Sequence, residues 1–245
     1  MVSTPKQARI VGSSALGPDV RVLDLQMLNG QRLEFSGGKY IIVHTTIKGS
    51  EGKIVKRPYS MISSDSETEC FQLAVRRISD GVGSPWFQDI ALGSVISFSG
   101  PWGRWFVEDK EVKDSTLVFA TDTGITAAMG LTRSQGFRAR LKRSPVLWCA
   151  TSSDYFLPLK TIRAAIQGCA EWSFQVIPVS KHPDRMTAAL AAVEQVLPRH
   201  PVKAAYLVGD GAVLLGVQSL LVERGVALEN IRCEAFFNRP PKGED

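Results

Sequence analysis

Hydrophobic and polar positions follow two different rules along this chain. In the first part, short β-branched segments carry a partial period of two: ARIVGSSAL (8–16), VRVLDLQML (20–28), KYIIVHTTI (39–47), KRPYSMIS (56–63), CFQLAVRRI (70–78) and SVISFSG (94–100). Turn signals separate them, among them Asn29-Gly30, Gly37-Gly38, Gly49-Ser50 and Asp80-Gly81. Evenly spaced short strands predict an antiparallel six-stranded barrel, interrupted by one brief helix over 84–90. After about residue 113 the alternation gives way to apolar runs, TLVFATD (116–122), PVLWCATS (145–152), SFQVIPVS (173–180) and KAAYLVGD (203–210). Helical periods over 124–135, 157–167, 184–197 and 211–224 lie between or after them, and IRCEAFF (231–237) reads as a last strand. Strand–helix alternation predicts a doubly wound parallel sheet. The expected organisation is therefore β plus α/β, with domains at 1–113 and 114–245. Ligands of such a sheet sit beyond the carboxyl ends of its strands, here Asp122-Thr123-Gly124, Ala150-Thr151-Ser152 and Gly209-Asp210-Gly211.

Composition narrows the function classes. With 245 residues, 44% hydrophobic and 22% charged, the chain is ordinary for a globular protein. Nowhere do about 18 apolar residues run together, so no membrane span is expected. The opening MVSTPKQARIVGSS has no apolar core of a secretory signal. Cys70, Cys149, Cys169 and Cys233 are too scattered for a metal clip or an iron–sulfur cluster and read as reduced thiols of a cytoplasmic protein. His44, His182 and His200 share no ligand spacing, and no metal is expected. The net charge of +5 gathers at Arg133, Arg138, Arg140, Lys142 and Arg143 without interleaved aromatics. That argues against nucleic acid and for a solvated face, or one that attracts an anionic cofactor or acidic protein.

The candidate chemistry begins at Arg57-Pro58-Tyr59-Ser60. Arg57 offers a planar fork suited to a diphosphate, and Tyr59, two residues on, faces the same side of a strand. Ala74-Val75-Arg76 follows on the next strand, and Val82-Gly83-Ser84 opens a short helix whose first N–H groups suit phosphate. Thr123-Gly124 begins a strand–turn–helix, Gly209-Asp210 another, and Glu234 and Phe236 close the chain.

Six such motifs in this order resemble the ferredoxin–NADP reductase family of flavoproteins over nearly the whole chain. The resemblance implies FAD held by Arg57 at the diphosphate, Tyr59 on the ring and Ser60 at its N5 edge. It implies a second flavin strand at Ala74, Val75 and Arg76, and a diphosphate loop at Val82, Gly83 and Ser84. Thr123 would touch flavin from the nucleotide side, with Gly124, Thr151, Gly209 and Asp210 lining the site for NADPH or NADH. Glu234 would orient the nicotinamide or relay a proton, and Phe236 would shield the ring. Nine residues follow Phe236, as in members whose extended carboxyl terminus touches the flavin's adenosine.

The nucleotide half departs from the family pattern. Asp122 replaces the first glycine of G-T-G-I-x-P and Ala127 its proline; Cys149 and Thr151 stand at Gly and Arg positions, and Val208 at a cysteine. A unit negative charge about 4 Å from a phosphate costs roughly 4 kcal/mol at an effective dielectric constant of about 20. Asp122 either imposes that cost or turns away to cap the helix beginning near Gly124. The Arg138 to Arg143 cluster is one source of a 2′-phosphate ligand. The expected activity is hydride transfer from NAD(P)H to bound FAD, then electron transfer to a separate acceptor, a ferredoxin-like iron–sulfur protein or an oxygenase component. The alternatives are a flavin reductase using free flavin and a flavin-binding electron-transfer subunit with a degenerate nicotinamide site.

Overall fold

In the computed structural model, which describes residues 5–16, 19–49, 52–78, 83–103, 115–153, 156–178 and 182–237, the alternating segments pair into one antiparallel sheet and the apolar runs into one parallel sheet. The first comprises β1 (Lys6–Ala15), β2 (Val20–Met27), β3 (Tyr40–Lys48), β4 (Ile54–Ser60), β5 (Cys70–Arg76) and, after helix α1 (Gly83–Asp89), β6 (Val95–Trp102). Their order is β4-β3-β6-β1-β2-β5. The two edges meet where Met61, just past β4, bridges Leu73 of β5, which closes the barrel. Ile10, Leu23, Val43, Phe71 and Phe98 fill it. Helix α1 is pinned at both ends: Trp86 Nε1 donates to Thr46 Oγ1 at 2.9 Å. Arg21 Nη1 donates to the carbonyls of Phe87, Gln88 and Ile90 at 2.8–2.9 Å, satisfying the helix's terminal acceptors.

The parallel sheet comprises β7 (Ser115–Thr121), β8 (Pro145–Ala150), β9 (Glu171–Val176), β10 (Val202–Asp210) and β11 (Ile231–Phe237), in the order β11-β10-β7-β8-β9. Helices α2 (Ile125–Arg133), α3 (Gln135–Leu141) and α4 (Leu159–Ala165) cover one face, α5 (His182–Val196) and α6 (Gly211–Glu223) the other. Every residue of β7 is buried, which is why its sequence is continuously apolar instead of alternating. The strand order reverses between β7 and β10, so the crevice beyond their carboxyl ends is the sheet's natural binding position.

The two sheets share packing and polar ties. Val20, Ile62 and Ala74 of the barrel join Ile125 and Ala128 of α2 in one buried cluster. Asp65, between β4 and β5, accepts from Gly37 N (3.1 Å), Ser134 Oγ (2.5 Å) and Gln135 N (2.9 Å). This explains a departure from the sequence expectation: the helix expected over 124–135 ends at Arg133, Ser134 is extended, and α3 starts anew. Its first N–H is capped by a carboxylate 70 residues away, a tertiary cap with no local signature. Strand β9 likewise begins before Ser173 and stops before Pro178, which cannot donate to a ladder. The expected boundary at 113/114 lies outside the described residues.

Candidate functional site

The expected site residues fall into three clusters. The first is on β4 and α1. β4 ends the strand order, so Pro58 is tolerated within it. Arg57 is exposed, with Nη1 donating to the Lys56 carbonyl at 2.8 Å. Tyr59 is half-buried edge-on to Phe87, at a centroid separation of 4.8 Å, and burial pushes its phenol up to about 12. Gly83 makes this possible: a Cβ there would stand 2.6 Å from Arg57 Cγ and 3.4 Å from the Tyr59 hydroxyl. The arginine and tyrosine therefore lie flush against the first turn of α1, a cradle any side chain would fill, and one that suits a diphosphate and a flat ring. Ser84 does not cap its own helix; its Oγ accepts from Ile78 N at 3.0 Å, and its O–H still has a proton to donate. Val82 lies outside the described residues.

The second cluster spans the two sheets. Ser60 is buried and registers opposite Tyr40 on β3. Across the junction Glu234 of β11 accepts from the hydroxyl of fully buried Tyr206 on β10, at 2.7 Å. Burial holds the Glu234 carboxyl above its usual range, and the Tyr206 hydrogen bond opposes that rise. Burial and the nearby Glu234 charge together raise the Tyr40 phenol, which places the carboxylate beside the barrel. Phe236, two residues on, packs half-buried on the cluster containing Ile62 and Ala74. The residues after Phe237 lie outside the described ones.

The third cluster lies at the switch point. Thr121 Oγ1 accepts from Asp210 N at 2.8 Å, joining the ends of β7 and β10. Gly124 lets the turn Asp122–Gly124 press on β10, since a Cβ would sit 2.5 Å from the Val208 carbonyl oxygen. Thr123 is half-buried in that turn, and its carbonyl accepts from Thr126 Oγ1 at 2.8 Å. Thr151 follows the end of β8, half-buried. Asp122 does not take the helix-capping role that was one expectation from sequence. It makes no cap bond to α2; at φ 49° its carboxylate turns to Arg185 of α5, and Oδ2 accepts from Nη2. Arg185 Nη1 also donates to Asp210 Oδ2 at 3.1 Å, while Asp210 Oδ1 caps α6 through Ala212 N at 3.0 Å. Burial raises the Asp122 carboxyl, and Arg185 counters it. Arg76, at the end of β5, acts on the same carboxylate, so the barrel and the switch point meet there.

Sequence reasoning missed Arg185, which carries no motif in its helix. Tyr206 had a faint signal, one hydroxyl in an apolar run that had to find a partner. The Arg138 to Arg143 cluster cannot reach a nucleotide at the switch point. α3 leads into the amino end of β8, and Ser144 Oγ accepts from Thr116 N at the start of β7, so the cluster is at the opposite end of the sheet. A cavity of about 490 Å³ lined by Ser64, Arg133, Arg138 and Gln167 lies at that end too, away from the cleft. Burial pushes the Cys149 thiol up to about 12, an inert core group. Among the described residues there is no cluster of metal-ligating side chains and no helix long and apolar enough to cross a membrane.

Residues 7–107 match the oxidoreductase FAD-binding domain family. The chain is 32% identical over 130 residues to ferredoxin–NADP reductase B of Sorangium cellulosum, an alignment covering 53% of this chain and 52% of the relative. It is 22% identical over 240 residues to reductase component 1 of terephthalate 1,2-dioxygenase from Comamonas, covering 95% and 68%. The chain thus spans from about half to two thirds of the length of these relatives. Among solved structures, the FAD/NAD-binding domain of nitric oxide dioxygenase from Vibrio cholerae superposes with a TM-score of 0.73 at 16% identity, over 94% of this chain and 98% of that one. A ferredoxin reductase of carbazole 1,9a-dioxygenase gives 0.72 at 19%, over 96% and 70%. Residues 7–107 are thus an oxidoreductase FAD-binding domain, and the closed antiparallel barrel followed by a five-stranded parallel sheet gives the chain the two-domain fold of these ferredoxin reductase-like structures.

Proposed function

We propose that the chain is an FAD-dependent NAD(P)H oxidoreductase that delivers electrons to a separate acceptor, with residues 1–113 binding FAD and 114–245 the nicotinamide nucleotide. What supports this reading is a chain of contacts: the Arg57–Tyr59–Gly83 cradle continues along β4 to Ser60, Ser60 registers opposite Tyr40, whose phenol feels the Glu234 charge, and Arg76 of the barrel acts on Asp122 at the switch point. FAD supplies a ring that takes a hydride from nicotinamide and releases electrons one at a time. Arg57 and the first turn of α1 would hold its diphosphate, with Ser84 offering an O–H; Val82 is assigned to that role on its sequence motif alone. Tyr59 and Pro58 line the ring, and Ala74, Val75 and Arg76 form the second strand beside it. Ser60, buried at the end of β4, would offer its hydroxyl to the edge of the ring. Thr123, Gly124, Thr151, Gly209 and Asp210 line the nucleotide's path over the sheet. Glu234, held protonatable by burial and oriented by Tyr206, positions the nicotinamide, and Phe236 keeps water from the ring.

The acceptor is a separate protein, and the relative named as a dioxygenase reductase component supports an oxygenase component or a ferredoxin-like iron–sulfur protein in that role. The net charge of +5 favours an acidic partner. One observation favours a second reading, an electron-transfer subunit that no longer takes nicotinamide: the Asp122 carboxylate stands where the family pattern has glycine. An anaerobic titration of desalted, FAD-loaded protein separates the two. Retained flavin that NADH or NADPH bleaches supports the reductase; retained flavin that neither bleaches supports the second reading. Flavin lost on desalting would point to a reductase of free flavin.

A further inference from the structure

Arg185 reaches from α5 over the carboxyl ends of β7 and β10 and divides its fork between two carboxylates, Nη2 to Asp122 and Nη1 to Asp210. Its side chain is only 11% exposed and those of the acids 10% and 21%. A guanidinium serving only as a structural tie does best with one bidentate carboxylate and balanced charge. Here one fork is divided between two carboxylates, and Asp122 Oδ1 is buried with no hydrogen-bond partner among the described residues. Each acid engages the fork through a single oxygen, so the five-donor group is not saturated by these two bonds. The position matters as much as the charge: it is the switch point of an open parallel sheet, where anionic ligands dock.

We propose that Arg185 is the receptor for the diphosphate of the nicotinamide dinucleotide, and that Asp122 holds it in place while attenuating its affinity. The inference rests on the dinucleotide reading above. Asp122 competes for the donors a phosphate would take and adds a negative charge beside it. Arg76, approaching from the barrel, shares that carboxylate electrostatically, so affinity at the switch point is coupled to the flavin strand. The departure from the family's glycine therefore weakens nucleotide binding without abolishing it.

The receptor makes predictions of opposite sign for its two ends. Asp122→Gly suits the backbone, since φ is 49° there, and frees the fork. Arg185→Gln removes the charge and keeps two donors. The experiment is calorimetric titration of the full, FAD-saturated chain with ADP, and with adenosine as a probe lacking phosphate. Asp122→Gly is expected to tighten ADP binding about tenfold or more and Arg185→Gln to weaken it by a similar factor, the scale of one charge-assisted hydrogen bond. Adenosine binding should not move. A purely structural ion pair would weaken ADP binding or leave it unchanged in both variants. If Arg185→Gln does not fold, Asp122→Gly decides alone: unchanged or weaker ADP binding, a parallel change for adenosine, or no ADP binding by either protein overturns the proposal. Bleaching by NADH or NADPH, followed in the same wild-type preparation, tests the dinucleotide reading separately. Bleaching with ADP affinity indifferent to Asp122 removes the receptor and keeps the reductase; Arg185-dependent ADP binding without bleaching does the reverse.

Discussion

Replacing Tyr206 by Phe isolates the carboxyl group at the centre of the junction. Tyr206 is fully buried and its hydroxyl donates to Glu234 Oε2 at 2.7 Å. Burial already holds the Glu234 carboxyl above its usual range, and this hydrogen bond is what opposes the rise. A hydrogen bond to a charged group contributes about 1.5–3 kcal/mol. Losing it lifts the folded pKa further. A carboxyl whose folded pKa exceeds its unfolded one binds its proton more tightly in the native state. Its contribution to stability is complete below the unfolded pKa and is lost as pH climbs through the folded value. Tyr206→Phe moves the end of that loss to higher pH and deepens it by about 1.5–3 kcal/mol. The variant should trail wild type only modestly in acid, where Glu234 is protonated in both, and increasingly towards neutral pH. Urea unfolding across a pH series measures this, with Glu234→Gln as the background in which the penalty becomes independent of pH. A penalty that is flat with pH in the presence of Glu234 would refute the reasoning.

Other expectations follow from single contacts. Gly83→Ala puts a Cβ 2.6 Å from Arg57 Cγ and should weaken FAD binding about 10–100-fold without destabilising the apo fold, as read by fluorescence titration and thermal melting. Equal FAD affinity would contradict the cradle. Asp65→Ala removes three accepted hydrogen bonds, one from Gly37 within the barrel part and two, from Ser134 and Gln135, across to the helices of the parallel sheet. It should cost about 2–4 kcal/mol, roughly 4–16 °C in Tm for a chain of this size, with faster amide exchange at the start of α3. Ser60→Ala should slow flavin reduction by roughly a hundredfold while FAD stays bound, if its hydroxyl serves the ring edge; an unchanged rate removes Ser60 from that role.

Elements defined by periodicity were legible because burial enforces them. The continuous run of β7 is buried on both faces, and the alternation of β1 and β2 divides barrel interior from exterior. What escaped depended on partners distant in the chain. Helix α3 begins only because Asp65 caps it from another sheet, so 124–135 read as one helix. Arg57 and Tyr59 could be read as neighbours because strand alternation puts residues two apart on one face, whereas Gly83 meets them only through the packing of α1 on β4. Arg185 was missed, because its role is created by α5 passing over two strand ends. Asp122 was recognised as anomalous, but neither expected outcome anticipated an ion pair. The basic run from Arg133 to Arg143 looked equally suited to anions; topology alone sends most of it to the amino ends of the strands.

The claim that flavin and nicotinamide meet directly in one cleft is tested by anaerobic stopped-flow mixing of the FAD-loaded protein with NADH and NADPH, each alongside its form deuterated at the transferred position. The account predicts that at least one donor bleaches the flavin's visible absorption and that deuterium slows the bleaching, because the bond to that hydrogen breaks as the ring is reduced. Bound flavin that neither donor bleaches would contradict it.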